Sequence, residues 1–478
     1  MADTLEVEDM QAIIIRGYGN LRAASYILLA IDNATTVRTW LSRLANEITA
    51  GQAMPQDSAL NIAFTYTGLQ KLGLAPEVIA MFSNEFISGM TEAHRSRILG
   101  DVGESAPEHW RWGGPTTKLI DLVLMLFATD NQKLSKMYDE YSHACTDNGL
   151  LEVRKLDTVD LGDKEHFGFR DGISQPLIEG LSPTTSPMHT IQAGEFILGY
   201  PNEYGLYTDR PVVAPAADPE KLLPRDASGS RNRDLGRNGS YLVFRQLRQD
   251  VRGFWQFLDQ ATRDIDGSSN PNASVKLASQ MIGRWPSGAP LVKAPDQDHP
   301  EEAGENEFGY YQSDAHGFNC PIGAHIRRAN PRDSLDPEPG SAQSIAIGKR
   351  HRLLRRGREY GKPPQETLSD SKEQTAGKHE DYAEQDQGLH FLCINANIAR
   401  QFEFIQHTWV NNPKFDGLYD DADPVIGDHS SNGGTFTLQA RPVRKRLTGL
   451  PRFVTVLGGA YFFLPGLKAL RYLASPGR

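Results

Sequence analysis

NGSYLVFRQLRQDVRGFWQFLDQAT (238–262) begins as a strand of aromatic and β-branched residues and passes into an amphipathic helix. The same succession has already run once, nearer the N-terminus. QAIIIRGYGNLRAASYILLAI (11–31) reads as strand material interrupted by a Gly-Asn turn, and TTVRTWLSRLANEI (35–48), after a threonine cap, as a helix. LNIAFTYTGLQKLGL (60–74) returns to a strand and runs into a short helix. KLIDLVLMLFA (118–128) is a buried strand, followed by a helix around NQKLSKMYDEYSHAC. The order β-α-β, helices, β-α-β is that of a ferredoxin-like unit. The second round closes with LHFLCIN, ARQFEFIQHTWV, RFVTVLGGAYFF and a terminal helix, PGLKALRYLA. Two similar halves follow, without a repeat at the residue level.

Long polar stretches rich in Pro and Gly separate these elements, at 208–237, 286–319, 362–387 and 420–441. Loops of that length are uncommon in compact proteins and often serve as lids or channel walls. The run KPPQETLSDSKEQTAGKHEDYAEQDQG is expected to be exposed and mobile. A net charge of −10 and a pI near 5.8 argue against a nucleic-acid binder, which needs a basic face for phosphates. Cys145, Cys320 and Cys393 lie far apart with no CxxC pair, as in a reducing compartment. The start, MADTLEVEDMQ, has no basic segment ahead of an apolar one. FVTVLGGAYFFLPGL (453–467) is too short and too broken by Gly and Pro to span a bilayer. The expectation is a soluble, cytoplasmic protein that binds no membrane.

Phosphate cradles, dinucleotide fingerprints, the serine-hydrolase elbow and HExxH sites are absent where they would matter. Three other stretches stand out. In HFGFRDGISQP (166–176), Asp171 sits in a turn, where an aspartate ordinarily just hydrogen-bonds its own backbone. In NCPIGAHIRRANPRD (319–333), His325 precedes Arg327 and Arg328; a histidine there is ordinarily a hydrogen-bonded core residue. In KRHRLLRRGREYG (349–361), the arginines read as a solvated basic face, except that Leu353 and Leu354 turn part of the run inward. An arginine carried inward needs an anion or a polarised ligand. Together, an acid, a histidine and an arginine on separate segments point to peroxidase chemistry. The imidazole can hold haem iron, the acid can move a proton between peroxide oxygens, and the cation can steady the departing one.

The sequence resembles the dye-decolorizing peroxidases, and the resemblance covers nearly the whole chain. LNIAFTYTGLQKLGL, the GxxDG motif written as GFRDG, NGSYLVFRQLRQDV, CPIGAHIRRANPR, HRLLRRGREYG, GLHFLCIN and FVTVLGGAYFFLP stand in family order. GxxDG alone is weak; seven ordered segments are not. The resemblance implies an α+β fold of two ferredoxin-like domains, 1–205 and 206–478. It also implies a b-type haem (protoporphyrin IX iron) held chiefly by the C-terminal half. It matches Asp171 to the distal acid, His325 to the proximal iron ligand and Arg355 to the distal arginine, with Arg352 and Arg356 as alternatives. His166 falls near a haem propionate, Arg327 is a basic partner for one, and Leu389 and Phe391 line the peroxide side.

Glu359 departs from the family, which commonly has proline before this Tyr-Gly pair. The partner of the His325 N–H is expected to be Asn397 or Glu403. The implied substrates are H2O2 and small aromatic electron donors, namely dyes and phenols, turned over by a monomer or homo-oligomer. Surface tyrosines or tryptophans would relay electrons inward, whereas Trp255 and Tyr241 read as core residues. Activity at acidic pH is expected if Arg355 keeps Asp171 ionised. The rival readings are a haem-handling carrier, which has no need of both Asp171 and Arg355, and a cofactor-free structural protein.

Overall fold

In the first half, β1 (Ala23–Ile31), α1 (Ala34–Leu44), β2 (Ser58–Phe64), β3 (Leu122–Ala128), α2 (Asn131–Asp147) and β4 (Leu150–Asp157) form antiparallel pairs in the order β2-β3-β1-β4. This computed structural model describes residues 4–182, 186–362, 386–429 and 433–475. The expected exposed run from Lys362 falls mostly on 363–385, outside the described residues.

The second half repeats the order with β5 (Ser240–Gln249), α3 (Val251–Thr262), α4 (Pro271–Ile282), α5 (His325–Ala329), α6 (Ala342–Lys349), β6 (Leu354–Arg355), β7 (Arg358–Tyr360), β8 (Gly388–Asn395), β9 (Val454–Leu464) and α7 (Leu467–Ala474). The edge pieces β6 and β7 pair with β8, β8 with β5, and β5 with β9. β9 then meets β2 at Phe463 and Phe64, so the two halves share one sheet of nine strands among the described residues. The fold is the two-part α+β architecture expected from the sequence.

β3 is buried along its whole length because both of its faces are covered. Leu122, Leu124 and Leu126 enter the core beneath α1 and α2, while Val123, Met125 and Phe127 enter a second core with Tyr26, Phe244 and Phe462. The two-residue period of a strand divides them, which is why the sequence reads as a continuous apolar run rather than an alternating one. Truncating Leu124 to Ala would cost about 2–5 kcal/mol.

Two local readings differ from the structure. Ala12–Ile15 is a helical turn, not a strand, and the side chain of Gln11 holds it to the sheet. Gln11 Nε2 donates to the Ile62 and Pro465 carbonyls at 2.8 and 3.0 Å. α1 is capped by Asn33, which accepts from the Thr35 and Thr36 N–H groups, so the cap lies ahead of the threonines.

The stretches 208–237 and 420–441, the first and last of the four, carry structure of their own. Arg210 joins Asp226 and Asp234, each at 2.6 Å, and ties down the first of them. The last supplies one strand of a hairpin, Gly434–Leu438 with Lys445–Leu450. Tyr241 is fully buried, its hydroxyl accepting from Ser83 N–H at 3.0 Å, as befits a core residue. Among the described residues no helix is long and apolar enough to cross a membrane.

Candidate active site

The register of β6 and β7 on β8 sets one wall. Arg355 stands opposite Cys393, and Glu359 opposite Leu389. With a period of two, Arg355, Glu359, Leu389, Phe391 and Cys393 share a face. Leu389 and Phe391 are half-buried although their strand lies inside the sheet, whereas His390, on the other face, is buried.

The loop that carries Asp171 lies along this wall. Glu165 closes its turn by accepting from the Phe167 and Phe169 N–H groups at 2.9 and 3.0 Å. Gly172 takes φ +79°, a left-handed conformation that glycine adopts without a Cβ clash. At the far end His166 Nε2 meets the Tyr360 carbonyl at 2.8 Å, and at the near end Arg355 Nη1 meets Asp171 Oδ1 at 2.7 Å. Gln175, which the sequence did not single out, clamps the arginine's backbone. Its Oε1 accepts from Arg355 N–H at 3.1 Å and its Nε2 donates to the Arg355 carbonyl at 3.3 Å.

Of the three candidate arginines, only Arg355 reaches Asp171. Arg356 is spent on the Ile13 and Ile14 carbonyls at 2.7 and 2.9 Å. Arg352 is buried with Nη1 3.3 Å from His189 Nδ1, and its Nη2 has no partner. Burial, then the like charges of Arg332 and Arg355, push the Arg352 guanidinium down to about 9. Burial pushes the Asp171 carboxyl up, but the charge and hydrogen bond of Arg355, helped by Gly172 N–H and His325, outweigh it. The carboxyl is held below the ordinary aspartate range.

His325 opens the short helix α5. Its Nδ1 lies 2.9 Å from Oδ2 of Asp423, a carboxylate with no exposed surface, whose Oδ1 accepts from the Val425 and Ile426 N–H groups. Burial pulls the imidazole down, and Asp423 more than restores it, so its proton affinity is raised. Asp423 corrects the expected partners. Asn397 accepts from Arg400 N–H, and Glu403 is held by Arg95 and the Tyr461 hydroxyl.

Arg327 needs the same correction. It is fully buried, bonded to the Asp314 and Cys320 carbonyls at 3.1 and 3.0 Å and stacked on Tyr310, so it presents no free face to a propionate. Arg328 likewise serves the Trp409 and Asn412 carbonyls. His166 keeps its Nε2 proton for the Tyr360 carbonyl. The neutral ring's Nδ1 is therefore an acceptor, buried and unpartnered.

The charges of Asp171 and Arg355 both act on His325. All three side chains keep accessible surface, at 41, 31 and 28 %. His325 Nε2 makes no hydrogen bond among the described residues. An imidazole with one nitrogen fixed by a buried carboxylate and the other free is the donor that haem iron takes. The half-buried Leu389 and Phe391 offer apolar surface for a macrocycle. These residues fit a haem.

No family model matches the chain. A multifunctional dye peroxidase from Amycolatopsis is 30 % identical over 98 % of this chain and 93 % of that protein. A dye-decolorizing peroxidase from Mycena epipterygia is 29 % identical over 99 % of this chain and 88 % of its own length. A dye-decolorizing peroxidase solved as a complex with 2,6-dimethoxyphenol superposes with a TM-score of 0.78 at 25 % identity, covering 98 % of this chain and all of that one. Fold and relatives define the class: a peroxidase, an oxidoreductase acting on hydrogen peroxide. The chain belongs to the dye-decolorizing peroxidase family, whose members are haem enzymes.

Proposed function

We propose that His325 would hold the iron of a b-type haem and that Asp171 and Arg355 work on the peroxide. The contact between Asp171 and Arg355 carries this reading, since it joins a base and a cation on the apolar wall formed by Leu389 and Phe391. When bound, the haem supplies an iron at which the O–O bond is broken and from which aromatic donors are oxidised.

Asp171 takes the proton from the near oxygen of H2O2 and delivers it to the far oxygen, which leaves as water. The Arg355 guanidinium steadies the charge growing on that departing oxygen. Asp423 holds the His325 Nδ1 proton, which fixes the tautomer and makes Nε2 the more basic donor. Two electrons arrive one at a time, and the balance is H2O2 + 2H⁺ + 2e⁻ → 2H2O. Dyes and phenols are the donors, a reading supported by the phenol complex of the relative.

For the haem carboxylates, Arg352, whose Nη2 has no hydrogen-bond partner among the described residues, is a better candidate than Arg327, whose two Nη atoms are spent on carbonyls. His166 would have to take up a proton before meeting one. We keep 1–205 and 206–478 as the two domains. Three buried, unpaired cysteines support a reducing, cytoplasmic setting. Mixing the haem-loaded protein with H2O2 and an anthraquinone dye tests the activity. Bleaching supports it, and a Soret band without turnover favours the haem-handling alternative.

A further inference from the structure

We propose that Glu359 feeds protons to Asp171 during peroxide turnover, acting from the same wall and touching neither peroxide nor haem. This rests on the function proposed above.

The placement comes from the sheet register. Arg355 and Glu359 keep one register on β8, opposite Cys393 and Leu389, so both side chains stand on the face along which the Asp171 loop lies. The loop is pinned at both ends of that interval, by Asp171 on Arg355 and by His166 on the Tyr360 carbonyl. Val159 N–H donates to the Glu359 carbonyl at 2.8 Å and fixes the backbone there. The Glu359 carboxyl is half-buried, and the hydrogen bond acting on it comes from its own backbone N–H.

The charged groups acting on it are Asp171 and Glu165 from the loop and Arg358 from its own strand. Arg358 sends its guanidinium the other way, to the Arg22 and Tyr18 carbonyls. From β8 it faces only apolar Leu389.

Three carboxyls therefore share this wall with one arginine, and Arg355 neutralises Asp171. Burial, then the charges of Asp171 and Glu165, raises the Glu359 carboxyl to about 7. Glu165 is raised to about 7 as well, but its oxygens are held by Phe167, Phe169 and Gln249. The Glu359 carboxyl is tied only to its own backbone N–H and not to another residue.

The chemistry needs such a store. Moving a proton from one peroxide oxygen to the other consumes none, but reduction by two electrons takes up two. Asp171, kept ionised by Arg355, is a poor reservoir. Glu359 gives its O–H proton toward Asp171 and recovers one from solvent, into which each phenol releases a proton as it gives up its electron. Each proton is accounted for, and no further reactant is required.

The test compares the parent, Glu359→Gln and Glu359→Asp, all haem-loaded. Turnover of the glutamine variant near pH 6 should fall about fivefold, with a larger solvent isotope effect. The rate of the peroxide-dependent spectral change should stay constant, and aspartate should restore the parent profile. A second readout needs no haem: the protonated-carboxyl infrared band that titrates near pH 7 should be smaller in the glutamine variant than in the parent, Glu165 supplying what remains. Unchanged turnover and isotope effect, or an infrared titration equal in parent and glutamine variant, would overturn the proposal. A parent that binds no haem and turns over no peroxide, yet keeps the band, would instead strike at the function proposed above.

Discussion

Asp171 Oδ1 and Arg355 Nη1 meet at 2.7 Å across 184 residues of chain. The glycine turn at 172 and the clamp of Gln175 on the Arg355 backbone bring them together from opposite directions. A charge-assisted bond of this kind is among the stronger hydrogen bonds. Asp171→Asn should keep the shape and lose the base. Stopped-flow mixing of the haem-loaded variant with H2O2 should show the Soret change slowed by about 10²-fold or more. An unchanged rate would remove Asp171 from the chemistry.

Arg355→Leu removes both the cation and the force that keeps Asp171 ionised. The same rate should fall about 10²-fold. Its acid limb should also move to higher pH, since burial would then push Asp171 up against only the Gly172 N–H and His325. Arg355→Lys keeps the charge but not the planar fork, and should retain part of the rate.

The parent's own pH profile carries the same sign. Asp171 ionises below the ordinary aspartate value of about 3.9, so the reaction with peroxide should persist at pH 4. A rate already lost by pH 5 would contradict this assignment of the base.

Asp423→Asn leaves an acceptor for His325 but takes away the charge. Haem affinity, read from Soret loss on dilution or transfer to apomyoglobin, should weaken about 10- to 100-fold.

Glu359 also affects stability. Its carboxyl holds a proton up to about 7 in the fold, against about 4.3 in an unfolded chain. Between those values the folded state binds more protons, so this group costs stability as pH rises. His189, His351 and His390, each pushed down to about 4 chiefly by burial, pull the other way. The contrast between variants isolates Glu359: from pH 5 to 8, Glu359→Gln should gain Tm relative to the parent.

The strands were legible because their signal is local. Leu122–Ala128 is an unbroken apolar run and Val454–Leu464 a mainly apolar one, and both are buried along nearly their whole length. Ala12–Ile15 misled because Ile-Ile-Ile favours a strand, and only the distant contacts of Gln11 show that it turns. Asp171, His325 and Arg355 were singled out through motifs, and the fold brings Asp171 and Arg355 into contact. Asp423 was not, because it lies 98 residues from His325 in a polar loop, and pairing over that span leaves no period in the sequence. The acid-rich DDADP run was the available clue. Arg327 was read as an anion partner because a basic pair beside a candidate ligand histidine resembles an anion site. Both arginines instead bond carbonyls that their own loops leave unsatisfied.

The most direct measurement is the absorption spectrum of the protein supplied with haem, before and after H2O2, for the parent and His325→Ala. The parent should bind haem with a Soret band that shifts on mixing, and the alanine variant should lose that band or carry a spectrum without the imidazole ligand. A parent that stays colourless, or an alanine variant whose spectrum matches it, would contradict the account.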